Sequence, residues 1–152
     1  MRISEADCRI LRVLQSEGRV SASELARRLG MSETSCLRRM KSLEEAGVIS
    51  GYQAVVDQRQ VGLSTTVLIM VSTNQRTETD RKAFVRAIAR SPQIISCAAV
   101  TGGHDYVILA VVRDIDELAD LTLRELLELP SVTSISSSIV LKWIKRNAPL
   151  PI

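Results

Sequence analysis

At 152 residues the chain has room for one ordinary domain or two small ones. Its formal charge is +3 and its isoelectric point is near 9.0, but basic and acidic residues are mixed through both halves. That excludes a polycationic tail and leaves any nucleic-acid contact local and geometric. Aromatic residues make up 3%, too few for single-strand reading by base stacking. No apolar run approaches the ~18 residues of a bilayer span and the amino terminus has no signal-peptide core, so a cytoplasmic protein without a membrane partner is expected. Cys8, Cys36 and Cys97 are odd in number, far apart and without histidine clusters, which argues against both a disulfide framework and a zinc site. A redox-sensing thiol is the minority reading beside that of small hydrophobes.

Ser4 and Asp7 cap a first helix whose apolar set is Ala6, Ile10, Leu11, Val13 and Leu14, with Gly18 as its terminator. Ser21 with Glu24 reads as a capping box opening a second helix, on which Leu25, Ala26 and Leu29 share a face, and Gly30 stops it where a left-handed residue is tolerated. The chain turns at once. Ser32 caps a third helix, with Glu33 at its positive end and Cys36, Leu37, Met40 and Leu43 at helical spacing before Gly47.

On that third helix the opposite sector carries Thr34, Ser35, Arg38, Lys41, Ser42 and Glu45, with Arg38 at its centre and Arg39 at the margin, able to reach a phosphate or to lie along the core edge. Guanidinium pairs with guanine edges and hydroxyls serve phosphates or bases. An ordinary amphipathic helix with a solvated face is the bland alternative. The short glycine turn and the capped helix before it favour helix-turn-helix, and with it a double-stranded DNA partner. Ser32, Thr34, Ser35, Arg38, Arg39, Lys41 and Ser42 are the candidate DNA-binding residues.

Val48 to Val56 changes period and reads as extended chain with a bend at Gly51, and residues 57–63 form a connector. From Thr65 the order is strand, helix, strand, strand, helix, strand. Thr66 to Ser72 is β-branched on both faces and should be covered on two sides. Thr79 to Arg90 carries Ala83, Phe84, Ala87 and Ile88 on one face. Ile94 to Val100 and Tyr106 to Val112 suggest a hairpin, Asp116 to Leu129 a second helix, and Val132 to Lys142 a final long strand. The echo between Ser91-Pro92-Gln93-Ile94 and Leu129-Pro130-Ser131-Val132 argues for a ferredoxin-like split βαβ sandwich. Helices cover one face of such a sheet, and a second copy of the chain is the simplest cover for the other, so a homodimer is expected. The fold class is α+β: residues 1–50 a helix-turn-helix (winged-helix-like) domain, 51–64 a linker strand and hinge, 65–145 a ferredoxin-like βαββαβ effector and dimerisation domain, and 146–152 a tail.

Thr101-Gly102-Gly103-His104-Asp105-Tyr106 departs from plain turn chemistry. Two glycines allow close approach to the backbone, N–H groups there suit a carboxylate, and Asp105 suits an ammonium, which together are the two ends of an amino acid. The residues leave a hairpin loop with a buried or capping aspartate equally open. His104, the only histidine, reads as a solvated loop residue before it reads as a ligand contact or pH sensor.

The run SETSCLRRMKSLEEAGVISGY, the opening Ile3-Ser4-Glu5-Ala6-Asp7-Cys8-Arg9-Ile10-Leu11 and the Thr101–Tyr106 loop together resemble the Lrp/AsnC (leucine-responsive, feast/famine) family of transcription regulators, over essentially the whole chain. The resemblance implies that residues 101–106 line an amino-acid pocket between subunits, although Gly103 and His104 depart from the commoner Gly-Asp-Tyr-Asp-Tyr. It also implies dimers assembled into tetramers or octamers. No cofactor is called for beyond the amino-acid effector. An enzyme fares poorly as a rival, for want of a histidine pair, a nucleophile elbow, a phosphate-cradling loop or metal-ligand spacing. The alternative kept open is a metabolite-sensing or protein-interaction module that does not read DNA.

Overall fold

The computed structural model describes residues 3–74 and 77–152. The chain divides into two units, one running up to Val56 and including Ile144–Ile152, the other Asp57–Trp143.

The first unit begins with α1 (Glu5–Ser16), α2 (Ala22–Leu29) and α3 (Glu33–Glu45). Ser4 and Asp7 form a complete capping box on α1, the Asp7 N–H donating to Ser4 Oγ and the Ser4 N–H to Asp7 Oδ2 at 2.9 Å. The expected box on α2 is only half made. Ser21 Oγ accepts the Glu24 N–H, but the Glu24 carboxylate is taken by the Arg27 and Arg28 side chains at 2.7 Å. These charge-assisted bonds are stronger than a return bond to one amide, and they hold the Glu24 carboxyl down at about 2. Gly30, at φ 65°, ends α2 in the left-handed conformation, and the Met31 N–H closes back on the Ala26 carbonyl at 3.0 Å. Ser32 caps α3 by accepting the Ser35 N–H, so three residues turn the chain from one helix into the next.

Ile10, Leu11, Leu14, Leu25, Ala26, Cys36 and Leu43 form the core of this unit, edged by Val13, Val20, Leu29, Met31, Met40 and Ile49. Leu37 is the exception among the apolar residues expected inside: it is 48% exposed and has no place in that core. The stretch expected to be extended, residues 48–56, forms no strand. Residues 144–152 do not stand apart as a tail. The Leu150 N–H donates to Gln15 Oε1 at 2.5 Å, and Arg12 Nε donates to the Ile152 carbonyl, so this segment is fastened to α1.

The second unit holds β1 (Thr65–Thr73), α4 (Glu78–Arg90), β2 (Ile94–Ala99), β3 (Tyr106–Val112), α5 (Ile115–Ala119) and β4 (Val132–Ile139). Its antiparallel sheet has the order β2-β3-β1-β4, which is the ferredoxin-like arrangement. Val67, Ile69 and Val71 from β1 and Ile108, Ala110 and Val112 from β3 point to one face and are closed over by Phe84, Leu118, Leu121 and Leu126. The other face carries Leu68 opposite Leu109 and Met70 opposite Val107; these four are half-buried within the single chain, on the face for which a second copy was expected as cover.

Two elements differ from their expected form. The helix expected over 116–129 runs as α5 and then widens into π-helical turns over Asp120–Leu126, with the Leu127 N–H donating to the Thr122 carbonyl five residues back. The buried Thr122 hydroxyl donates to the Leu118 carbonyl at 2.8 Å, an insertion into the helical ladder of the kind that bends or widens it. The final strand stops at Ile139 rather than Lys142. Its pairing with β1 ends at Val67 opposite Ile139, with one more bond from the Val140 N–H to the Thr66 carbonyl.

Candidate DNA-reading helix and effector loop

On α3, Thr34, Leu37, Arg38, Lys41 and Ser42 are exposed, while Ser35 and Arg39 are half-buried. Arg38, the centre of the polar sector, has no ion-pair partner among the described residues, and Lys41 has only a loose one, Glu45 Oε1 at 3.7 Å. An unpaired guanidinium and a loosely held ammonium can turn to an incoming anion without first losing a strong bond. Ser32 is committed as the cap, its oxygen holding the Ser35 amide.

Arg39 behaves differently. Its Nη1 donates to Asp7 Oδ1 at 2.9 Å and to Ser4 Oγ at 3.3 Å, so of the two expected places it takes the core edge. The Asp7 side chain is 5% exposed. Its carboxyl is held below the ordinary value first by the Ser4 hydroxyl, with the Ser4 amide and Arg39 adding to the effect against burial. A cleft lined by Asp7, Arg38, Arg39 and Ser42 lies beside this pair. Sequence reasoning missed Asp7 as an anchor for α3. The signal was present in Ser4-x-x-Asp7, whose box buries a carboxylate that a cation must then face.

Past α3, the Tyr52 hydroxyl donates to Glu44 Oε1 at 2.9 Å. Burial first, then the hydrogen bond to Glu44 and last its charge, push the phenol up to about 12.

The 101–106 loop joins β2 to β3. Thr101, Gly102 and Gly103 are exposed, and Gly102 sits at φ 128°, a conformation that L side chains rarely adopt. Asp105 fastens the loop to the end of β1: its Oδ2 accepts the Thr73 N–H at 2.6 Å and the Thr73 hydroxyl at 3.1 Å, and its own N–H donates to the Val71 carbonyl. The capping aspartate, one of the two readings open in the sequence, is therefore present. Asp105 Oδ1 takes no hydrogen bond among the described residues. His104 Nδ1 lies 3.2 Å from Ser72 Oγ, so the imidazole is oriented rather than loose. Tyr106 stacks on Phe84 with ring centroids 4.5 Å apart and an interplanar angle of 35°. Ser72 and Thr73, the residues that hold this loop in place, carried no signal of their own, because strand pairing alone decides which residue of β1 faces residue 105.

A family model described as a winged helix-turn-helix DNA-binding domain matches residues 3–50, and one described as an Lrp/AsnC ligand binding domain matches residues 66–150. The transcriptional regulator AzlB of Bacillus subtilis is 31% identical over 150 residues, 99% of this chain and 96% of the relative. The Bkd operon transcriptional regulator of Pseudomonas aeruginosa is 34% identical over 148 residues, 97% of each chain. A crystal structure of a Neisseria meningitidis transcriptional regulator in complex with L-methionine superposes with a TM-score of 0.94 at 35% identity, covering 99% of this chain and 97% of that one. No helix among the described residues is long and apolar enough to cross a membrane. With a helix-turn-helix at the front and the ligand-binding sandwich behind it, the chain belongs to the Lrp/AsnC family of transcriptional regulators.

Proposed function

We propose that this chain is a non-catalytic, cytoplasmic regulator in which residues 1–50 read a specific duplex and residues 65–145 sense an amino acid and join subunits. The observation that carries the reading is Arg38: a guanidinium without an ion-pair partner among the described residues, centred on the outer face of a helix launched by a three-residue turn. Arg38, Lys41 and Thr34 face base edges, Ser32, Ser35 and Ser42 serve phosphates, and Arg39 sets the pitch of the helix through Asp7.

In the second unit, the exposed Gly102 and Gly103 amides suit the carboxylate of an amino acid, and Asp105 Oδ1 suits its ammonium while Oδ2 stays on Thr73. Thr101, His104 and Tyr106 complete the loop. The sheet face of Leu68, Met70, Val107 and Leu109 takes a second copy of the chain, since an isologous pairing covers it with the same chemistry. Such dimers assemble further into a tetramer or octamer. Methionine, the ligand of the Neisseria relative, is the first amino acid to try.

The test is a selection of duplexes from a random pool by the full chain, followed by affinity measured against salt, with and without each of the twenty amino acids. A selected duplex should beat random DNA, lose affinity steeply as salt rises, and respond to one amino acid or a few. If no duplex outcompetes random DNA, the protein-interaction reading takes its place.

A further inference from the structure

The outer face of α3 contains one residue that does not belong to a plain phosphate-binding surface. Leu37 lies one turn after Thr34, immediately before Arg38 and one turn before Lys41. It is 48% exposed, and it is absent from both the core of its unit and the residues packed against that core. A single exposed leucine on a protein surface needs no explanation. This one is set among the very side chains that face the groove. It also has no hydrogen-bonding capacity to offer a phosphate or a base edge.

The B-DNA major groove presents donors, acceptors and one apolar group, the C5-methyl of thymine. A branched apolar side chain beside a base-reading guanidinium gains from that methyl and loses against any base edge that leaves polar atoms facing it. We infer that Leu37 is a specificity-determining residue that packs on a thymine methyl next to the base pair read by Arg38. The inference rests on α3 being the groove helix. It adds that the half-site contains a thymine recognised through its methyl alone.

The experiment uses the full chain and the duplex it selects. Each thymine of one half-site is replaced in turn by deoxyuridine, which removes the methyl and leaves every hydrogen bond of the base pair. At one thymine the wild-type protein should lose about fourfold in affinity, the equivalent of burying one CH₂ at ~0.8 kcal/mol. Leu37→Ala should bind the natural duplex more weakly and be indifferent to that replacement. Arg38→Ala should still respond to it, and Leu37→Met should restore most of the wild-type response. The deoxyuridine series on wild-type protein needs no variant to fold, so it stands on its own. Equal affinity for every deoxyuridine duplex, or losses that simply add to those of Leu37→Ala, overturns the role of Leu37. If Arg38→Ala still loses affinity for the selected duplex in that case, only this inference has failed. If no duplex is selected, the groove-helix reading has failed with it.

Discussion

The Asp7 carboxylate and the Arg39 guanidinium meet at 2.9 Å and tie the first turn of α1 to the middle of α3. Asp7 also completes the Ser4 capping box, so one buried carboxylate closes a helix end and ties α3 to α1. Removing it takes away both functions together.

Asp7→Asn should therefore lower the stability of the first unit by about 1–3 kcal/mol at neutral pH, the range for a lost cap plus an ion pair whose cation is partly exposed. The pH dependence has a definite sign. The folded-state pKa lies below the ordinary aspartate value, so the stabilisation is present above the unfolded-state value and is lost as pH falls through the lowered one. Denaturant melts at pH 7, 5 and 3 should show the gap between wild type and Asp7→Asn narrowing only at the acid end. A constant gap would assign the effect to packing.

Arg38→Ala and Arg39→Ala should part company. The first should cost about 1–3 kcal/mol in affinity at one base position of each half-site and leave thermal stability unchanged. The second should lower stability and weaken all duplexes alike, because it releases α3 from Asp7. Binding titrations on single-base variants, run beside thermal melts, separate the two.

Asp105→Ala removes both side-chain bonds to Thr73 and loosens the loop, leaving the residue 105 N–H on the Val71 carbonyl. Operator binding without effector should survive, while the effector response should be lost or altered, as read by calorimetry. Thr73→Val removes only the hydroxyl bond at 3.1 Å and should cost no more than ~1 kcal/mol of stability. An unaltered response in Asp105→Ala moves the effector pocket elsewhere.

Phe84, 1% exposed and stacked on Tyr106, bridges the core of the second unit and the residue that ends the 101–106 loop. Phe84→Ala should cost about 3–5 kcal/mol, and Phe84→Leu distinctly less. Because the two units have separate cores, the loss should appear as an early melting step of the second unit, with α1 to α3 still folded by amide exchange.

The helical frame of this protein is readable from short-range chemistry. Ser4, Ser21 and Ser32 are satisfied by amides three residues away, and Gly30 ends its helix at the one conformation where its missing side chain matters; the Thr77 cap that starts α4 at Glu78 rather than Thr79 was not read. What failed to show is what depends on competition between partners. Glu24 was free to close a capping box or to meet two arginines, and spacing alone does not say that the arginines win. Leu37 has the apolar identity and roughly the spacing of a core residue, yet the small radius of a three-helix core leaves no room at its flank. Asp105 offered two readings, a ligand for an ammonium or a clasp for its own loop. Only the register that sets Val71 opposite Tyr106 brings Thr73 close enough to make the clasp.

The widened turns over Asp120–Leu126 have a bearing on how this segment tolerates changes of length. A π-turn holds one residue more than the regular repeat, so dropping exposed Leu123 would let the coil rewind to ordinary pitch. Leu118, Leu121, Thr122 and the shifted Leu126 would then fall at intervals of three, four and seven, still on the inward side. A one-residue shortening that would throw most helices out of phase is here absorbed by slack already wound into the chain.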